Sequence, residues 1–381
     1  MDHQVKIERL QELIAGSIPG ELTEQKVTTL LPPGENYGSI IYQVDFKMKI
    51  DGEKKSYHAV EKCTPLNKIT QEFFNTQETF RAEIGWYTTV IPTLKTFARD
   101  QSFGRKIDFF QEFYGGRISL DAKSDFVDKH GVILTENLKQ RGFHNIDRYV
   151  GFDAPTTYSI LKNLATFHAL SMAIRGKNPV LYEKNLQRFC TRFAANRAKE
   201  VFQNSILELL NNLPEFASHM DTIRKVVKES CQFEKKTTRE PWVAIVHQDF
   251  WLLDEGSPAG DVIFFLLTSI QFEVIKEKLD EFIKFYYDQL MENLEGLNLD
   301  TYCYRFDDFL AEIAIEVNRA EYVHALGHTM IIFQEKGSSF YDSSDAECKD
   351  DHFEQLKWTP KQKQIEKFRW ISMEAIQRKW I

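Results

Sequence analysis

The stretch Val246 to Asp261, VHQDFWLLDEGSPAGD, decides how the rest of the chain is read. Its first half, His247-Gln248-Asp249-Phe250-Trp251, has the H-x-D opening of a phosphoryl-transfer catalytic loop. In such a loop the Asp orients or deprotonates an acceptor hydroxyl, and an Asn further on holds a metal ion. Asp254 stands where that Asn belongs. The second half, Gly256-Ser257-Pro258-Ala259-Gly260-Asp261, leads into the apolar run Val262 to Ile270, which reads as a buried helix or core segment.

Outward from this stretch, periodicity divides the chain into a strand-rich N-terminal part and a helical remainder. In SIIYQVDFKMKI, Ile40, Tyr42, Val44, Phe46, Met48 and Ile50 alternate with Gln43, Asp45, Lys47 and Lys49, the period of a strand with one wet face. Asp51-Gly52 is a hairpin signal, and Ser56 to Cys63 is the return strand. A helix follows with Phe73, Phe80, Ile84, Tyr87 and Ile91 on one stripe, and Pro92 is expected to close it. Phe109 to Phe113 and Val132 to Leu134 supply further strands. From Pro155 onward helical patterns dominate, including TYSILKNLATFHALSMAI and LDEFIKFYYDQLMENLEGL. The expected architecture is α+β and protein-kinase-like in its two lobes: a small antiparallel-sheet lobe over 1–135 that binds nucleotide, and a larger helical lobe over 136–381.

Composition limits the function classes. The chain has 381 residues, 43% of them hydrophobic, enough to build a substantial core. A formal net charge of −8 argues against a nucleic-acid backbone as the main partner. Its 5 cysteines are scattered without a C-x-x-C pair, which points to reduced thiols rather than a disulfide framework or zinc site. The first residues, MDHQVKIERLQELIAG, lack the apolar core of a secretory signal. No apolar stretch approaches the roughly 18 residues of a membrane span. A soluble, cytoplasmic protein is the expectation.

Within this frame, Gly34-Glu35-Asn36-Tyr37-Gly38-Ser39 lies just before the first strand, where a glycine-bearing turn brings backbone N–H groups against phosphates. Lys62 ends the return strand, where a lysine contacts the α and β phosphates, and Glu83 on the next helix is its candidate ion-pair partner. Val132 to Leu138 is the candidate hinge. His168, inside an apolar helical stripe, reads as a satisfied core histidine. Phe282, Phe285, Tyr286, Tyr287, Tyr302, Tyr304 and Phe306 are compatible with a bulky apolar ligand but read first as core. The acidic segment Tyr341 to Glu354 reads as a solvated loop.

The ordered set GENYGS, AVEKC, FRAEIGWYTTVIPTL, ILTENL, LATFHALS, VHQDFW and GSPAGD resembles the ecdysteroid-kinase-like (CHK-kinase-like) family, within the aminoglycoside phosphotransferase and choline kinase superfamily. The resemblance covers nearly the whole chain. It implies an ATP- and magnesium-dependent phosphotransferase acting on a small-molecule hydroxyl, steroid-like or otherwise lipophilic. By position, Gly34, Gly38 and Ser39 would cover the phosphates, Lys62 and Glu83 would pair, Glu136 and Asn137 would mark the hinge, and Asp249, with His247 beside it, would be catalytic. Asp261 would be the structural Asp opening the next helix.

The departure from the family pattern is equally specific. Relatives continue from H-G-D-x-W through an Asn-bearing loop and a strand hairpin to a D-F-Q segment, whose Asp binds metal just before G-S-P. Here Trp251 runs through Leu252-Leu253-Asp254-Glu255 into Gly256, so Asp249-Phe250 reads both as part of the H-x-D motif and as the D-F before G-S-P. One Asp cannot hold both positions. Asp254 is the candidate metal ligand, with Glu255 as a second carboxylate; the competing reading of both is a solvated turn. Three functions follow: an impaired kinase with Asp249 as base, a non-catalytic pseudokinase or ligand-binding module, and a shortened isoform or gene model of an active kinase.

Overall fold

The computed structural model describes residues 6–30, 39–190, 196–230, 238–247, 254–332 and 361–381. The fold is α+β and kinase-like, an antiparallel sheet of five strands with many helices. It divides into two compact units. Described residues of the first fall within 1–88 and 107–145, and those of the second within 89–106, 146–332 and 361–381.

In the first unit, α1 (Leu10–Ile14) and β1 (Glu21–Thr29) precede the long hairpin of β2 (Ile40–Ile50) and β3 (Glu53–Cys63). Asp51 and Gly52 turn it at φ 52° and 87°, the left-handed pair an Asp-Gly hairpin turn needs, and Ile50 closes opposite Glu53. α2 (Lys68–Phe73), α3 (Thr76–Gly85) and a π-helical turn at Trp86–Val90 follow, and the chain passes into α4 (Ile91–Asp100), which belongs to the second unit; back in the first, β4 (Phe113–Arg117) and β5 (Val132–Glu136) complete the sheet. Strand order is β1-β2-β3-β5-β4, with all neighbours antiparallel. The alternation expected for β2 is present: Val44, Phe46 and Met48 are buried with Ala59, Val132 and Leu134 beneath Leu10 and Ile14 of α1. Each of these side chains larger than alanine contributes about 1.5–3 kcal/mol relative to exposure. On the opposite face Phe80 of α3 packs with Ile133 and Val127, flanked by Ile84, Tyr87 and Phe113.

Three expectations are corrected. Pro92 does not end the helical run; it sits in the first turn of α4, which continues to Asp100. A proline fits there because the first turn of a helix needs no N–H donor, and the wider π turn before it restarts the hydrogen-bond ladder. β4 begins at Phe113 rather than ending there, since Phe110 lies outside the sheet edge-on to Trp86, with centroids 5.4 Å apart. Glycine defines that strand: a Cβ on Gly115 would lie 2.2 Å from the Leu13 carbonyl oxygen of α1. Finally, β1 adds an edge strand that no alternation marks, because a bulge between Leu22 and Glu24 breaks its register.

The second unit contains α5 (Ala154–Lys177), α6 (Pro179–Asn185), α7 (Asn196–Asn211), α8 (Met220–Glu229), a short hairpin of β6 (Ala244–Val246) and β7 (Asp254–Gly256), and then α9 (Pro258–Ser269) and α10 (Phe272–Gly296). After these come α11 (Phe306–Glu316), a π turn at Val317–Glu321, α12 (Tyr322–Ile332) and α13 (Gln362–Gln377). α5 starts at Asp153, whose side chain accepts from Thr156 N at 2.9 Å, with Pro155 in the first turn. α5 and α10 pack together, Tyr158 meeting Phe282 and Phe285 at centroid distances of 5.0 and 4.8 Å. Among the described residues, no helix is long and apolar enough to cross a membrane.

Two ionic features sit in this core. Arg239 donates to both oxygens of Glu312, at 2.8 and 2.7 Å, and also to Glu316; these carboxylates are 6% and 1% exposed. Lys367 of α13, buried, donates to the Thr268 carbonyl near the end of α9.

Candidate functional site

In the first unit the chemistry gathers on the face of the sheet that carries α3. Lys62 stands opposite Ile133 on β5, and Phe80, packed on Ile133, seats α3 so that Glu83 meets the lysine. Lys62 Nζ and Glu83 Oε2 form an ion pair, with side chains 20% and 24% exposed. Two residues chosen from strand and helix position thus meet in space. Along β2 and β3, Asp45 receives Gln43 Nε2 at 3.1 Å and lies 2.6 Å from His58 Nδ1. His58 also supplies the carbonyl that receives Asn137 N–H at 2.9 Å.

The hinge candidates are structural anchors in their side chains. Glu136 Oε1 accepts from Glu112 N at 3.2 Å and from Arg141 Nη1 at 2.8 Å. Asn137 Oδ1 accepts from Lys139 N at 3.1 Å and so caps the turn that follows. Ser39 is buried at the start of β2. Gly34 and Gly38 lie outside the described residues.

In the second unit the site is built around β6. Ala244 pairs with Gly256 and Val246 with Asp254. The other edge of β6 is satisfied by side chains: Ile245 N–H donates to Ser171 Oγ at 3.1 Å, and His247 N–H to Asp261 Oδ2 at 2.7 Å. Side-chain acceptors here do the work of a missing strand. Asp261 is positioned by the Gly-Ser-Pro turn, in which Ser257 Oγ accepts from Ala259 N at 3.3 Å and Pro258 occupies the first helical turn, leaving Asp261 at the positive end of α9.

His168 completes this cluster. Fully buried on α5, its Nε2 lies 3.1 Å from Asp261 Oδ2 and its Nδ1 2.6 Å from the Tyr286 hydroxyl of α10. It is a satisfied core histidine, as expected, but its partners tie three helices to the start of the 247–253 connection. Burial alone would push the Asp261 carboxyl up; the hydrogen bond from His168, with that from the His247 backbone N–H, outweighs burial and holds it below the usual carboxylate range. A carboxylate with a depressed pKa contributes stability that is present above the unfolded value and lost as pH falls toward the folded one. Asp261→Asn is therefore expected to lower stability near neutral pH by about 1–3 kcal/mol, the difference between charge-assisted and neutral bonds. It should also blunt the acid-side decline, and urea unfolding against pH reads both effects.

The metal candidates divide. Asp254 is half-buried, and its Oδ1 accepts from Glu255 N at 2.8 Å. Glu255 is committed elsewhere, accepting from Tyr182 Oη at 3.1 Å and Gln187 Nε2 at 2.9 Å, with Arg175 Nε 3.9 Å away. The solvated-turn reading of these residues gives way to a strand, because alternation sends neighbouring side chains to opposite faces. Among the described residues, no group of three or more His, Cys, Asp or Glu side chains is arranged to hold a metal. Asp249, the catalytic candidate, and the segment Tyr341 to Glu354 lie outside the described residues. Of the aromatic set, Phe282, Tyr286 and Tyr304 are core, whereas Tyr302 is 89% exposed. Sequence reasoning missed Ser171 and Tyr182, and the pairing of Tyr286 with His168, because their partners lie far along the chain.

A model of the ecdysteroid kinase-like family matches residues 33–253 and again 249–299. The two matched stretches share residues 249–253, which begin with Asp249-Phe250, the pair that reads both as part of the H-x-D motif and as the D-F before Gly-Ser-Pro. No curated protein matches the chain.

Proposed function

Because the chain belongs to the ecdysteroid kinase-like family, we propose that it is a kinase-like small-molecule phosphotransferase that binds ATP and acts weakly on a hydroxyl of a steroid or other lipophilic alcohol. The observation that carries this reading is the ion pair of Lys62 and Glu83. In phosphoryl transfer such a pair presents the lysine ammonium to the α and β phosphates. Gly34, Gly38 and Ser39 cover those phosphates, and Glu136 and Asn137 mark the hinge, their own N–H groups being held by the Glu112 and His58 carbonyls. In the second unit Asp249, following His247, orients the acceptor hydroxyl and takes its proton.

Magnesium, when bound, would neutralise charge developing on the transferred phosphoryl group. Asp254 fits as one carboxylate ligand of the kind magnesium accepts, whereas Glu255 is engaged by Tyr182 and Gln187. One ligand in place of an Asn and an Asp leaves transfer impaired, since loss of a single preorganised electrostatic contact costs roughly 100- to 1,000-fold in rate. The double use of residues 249–253 in the family match favours a second reading, a pseudokinase that keeps the nucleotide without turnover. We place the protein in the cytoplasm on its reduced-thiol pattern; Cys63, Cys190 and Cys303 are unbridged.

Thermal-shift titration of the full chain with ATP, with and without magnesium, tests this function. Nucleotide at 100 times its dissociation constant should stabilise the fold by about 2.7 kcal/mol. Lys62→Ala is expected to abolish most of that shift at the same ATP concentration. A magnesium-dependent part lost in Asp254→Asn supports a rebuilt metal site; a shift indifferent to magnesium supports the pseudokinase; absence of any ATP shift overturns the nucleotide reading.

A further inference from the structure

Three buried side chains connect α10 to His247, the residue that follows β6. Asp261 Oδ2 accepts from His247 N–H at 2.7 Å and lies 3.1 Å from His168 Nε2, so the imidazole presents a proton at Nε2. His168 Nδ1 lies 2.6 Å from the Tyr286 hydroxyl, the one hydrogen bond that Tyr286 makes among the described residues. A buried hydroxyl must place its proton on an acceptor, and Nδ1 is the acceptor in reach. Were Nδ1 protonated as well, it would donate to Tyr286 Oη, and the buried phenolic proton would be left without an acceptor among the described residues. Burial and the Asp261 charge hold the phenol well above its ordinary pKa, so it keeps that proton.

We propose that Tyr286 is a positioning residue: by donating to Nδ1 it holds His168 as the Nε2–H tautomer, keeps Asp261 an ionised double acceptor, and so fixes where the backbone leaves β6 at His247. The functional weight of this relay rests on the reading of 247–253 as the acceptor-binding connection; the relay itself does not. Tyr286 touches no reacting atom. It acts through His168 and Asp261 on the orientation of one peptide group, which in turn starts the segment carrying Asp249. The second hold on the strand, Ser171 Oγ, belongs to the same turn of α5, since Ser171 donates to the His168 carbonyl at 2.9 Å. Side-chain tautomer and strand position are thus fixed from one helical turn.

The test uses the full chain labelled with ¹⁵N in histidine, with long-range ¹H–¹⁵N correlation to read the His168 tautomer and amide exchange to read His247. The wild type is expected to show His168 as Nε2–H. Tyr286→Phe keeps the ring and removes the donor, so His168 should leave the pure Nε2–H state. The His247 amide should then exchange up to about tenfold faster, the effect of weakening one net hydrogen bond. Tyr322→Phe removes another buried hydroxyl of this unit, the partner of Ser372 Oγ at 2.9 Å, and should change neither signal. The inference is overturned by a wild-type His168 that is charged or Nδ1–H, a measurement that needs no variant. It is also overturned if Tyr286→Phe leaves both signals unchanged, or if Tyr322→Phe moves them equally. None of these readouts requires nucleotide or turnover, so a failed ATP titration beside an intact relay counts against the phosphotransferase reading alone.

Discussion

Replacing Arg239 by Met is expected to lower the unfolding free energy by about 3–5 kcal/mol, the cost of leaving a buried charge without its partner. Two carboxylates depend on this guanidinium. Glu312 receives a bidentate pair at 2.8 and 2.7 Å and Glu316 a further bond, with 6% and 1% of their side chains exposed. The hydrogen bonds to Glu312, then those to Glu316, raise the arginine pKa against the opposing effect of its own burial. Loss of the cation therefore strands two charges in a water-poor site. Urea unfolding of Arg239→Met measures the loss, and a value under about 1 kcal/mol, the size of an exposed pair, would show that the pair is not holding the helix in place. Adding Glu312→Gln and Glu316→Gln should return much of the stability, because the penalty lies in uncompensated charge rather than in lost packing.

The second large effect is alkaline. Lys367 lies buried against the end of α9 with the Thr268 carbonyl as its hydrogen-bond acceptor, and burial pushes its pKa down to about 8 from 10.5. Between those values the folded chain has released the proton while the unfolded chain still binds it, so stability rises with pH across that window. At 1.36 kcal/mol per unit, the rise from this group is about 3 kcal/mol between pH 8 and 10.5. Tyrosines and other lysines titrate over the same range, so the informative quantity is the difference between wild type and Lys367→Met. That difference should grow in favour of the wild type as pH rises; a flat difference would sink the assignment. Below pH 8 the charged amine is a net burden, relieved in part by its bond to Thr268.

The parts of this fold that the sequence discloses are those fixed by short-range rules. The β2–β3 hairpin is legible because its alternation is unbroken and Asp51-Gly52 supplies the left-handed turn. Lys62 and Glu83 are legible as a pair because strand and helix positions carry them in a fixed order. β1 is not, since Leu22 and Val27 are its only aliphatic residues and a bulge breaks their spacing. β4 is displaced because the Phe109-Phe110 run imitates a strand, while the strand itself passes through Gly115, which lets α1 approach, and Gly116, which lies against Phe113 and Ile84. Pro92 misleads because a proline ends a helix from the interior but starts one from its first turn. At the site, His168 is legible as a core residue, yet Tyr286 and Asp261 reach it from 118 and 93 positions away, a distance no local pattern encodes. Glu255 is misread for the same reason, its partners being Tyr182 and Gln187.

The two ends of the 247–253 connection are clamped independently of what lies between them. Val246 and Asp254 face each other across the hairpin; Ser171 and Asp261 grip the incoming strand, and Tyr182 with Gln187 grip the outgoing one through Glu255. Such a frame behaves as a socket for an exchangeable cassette. Closing a longer segment across fixed ends costs only about 0.6 kcal/mol per doubling of its length, so the scaffold is almost indifferent to how much chain is plugged in. Evolution can then trim or extend the chemistry-bearing piece without renegotiating the fold, and a grafted catalytic segment from an active relative would find both of its attachment points already built.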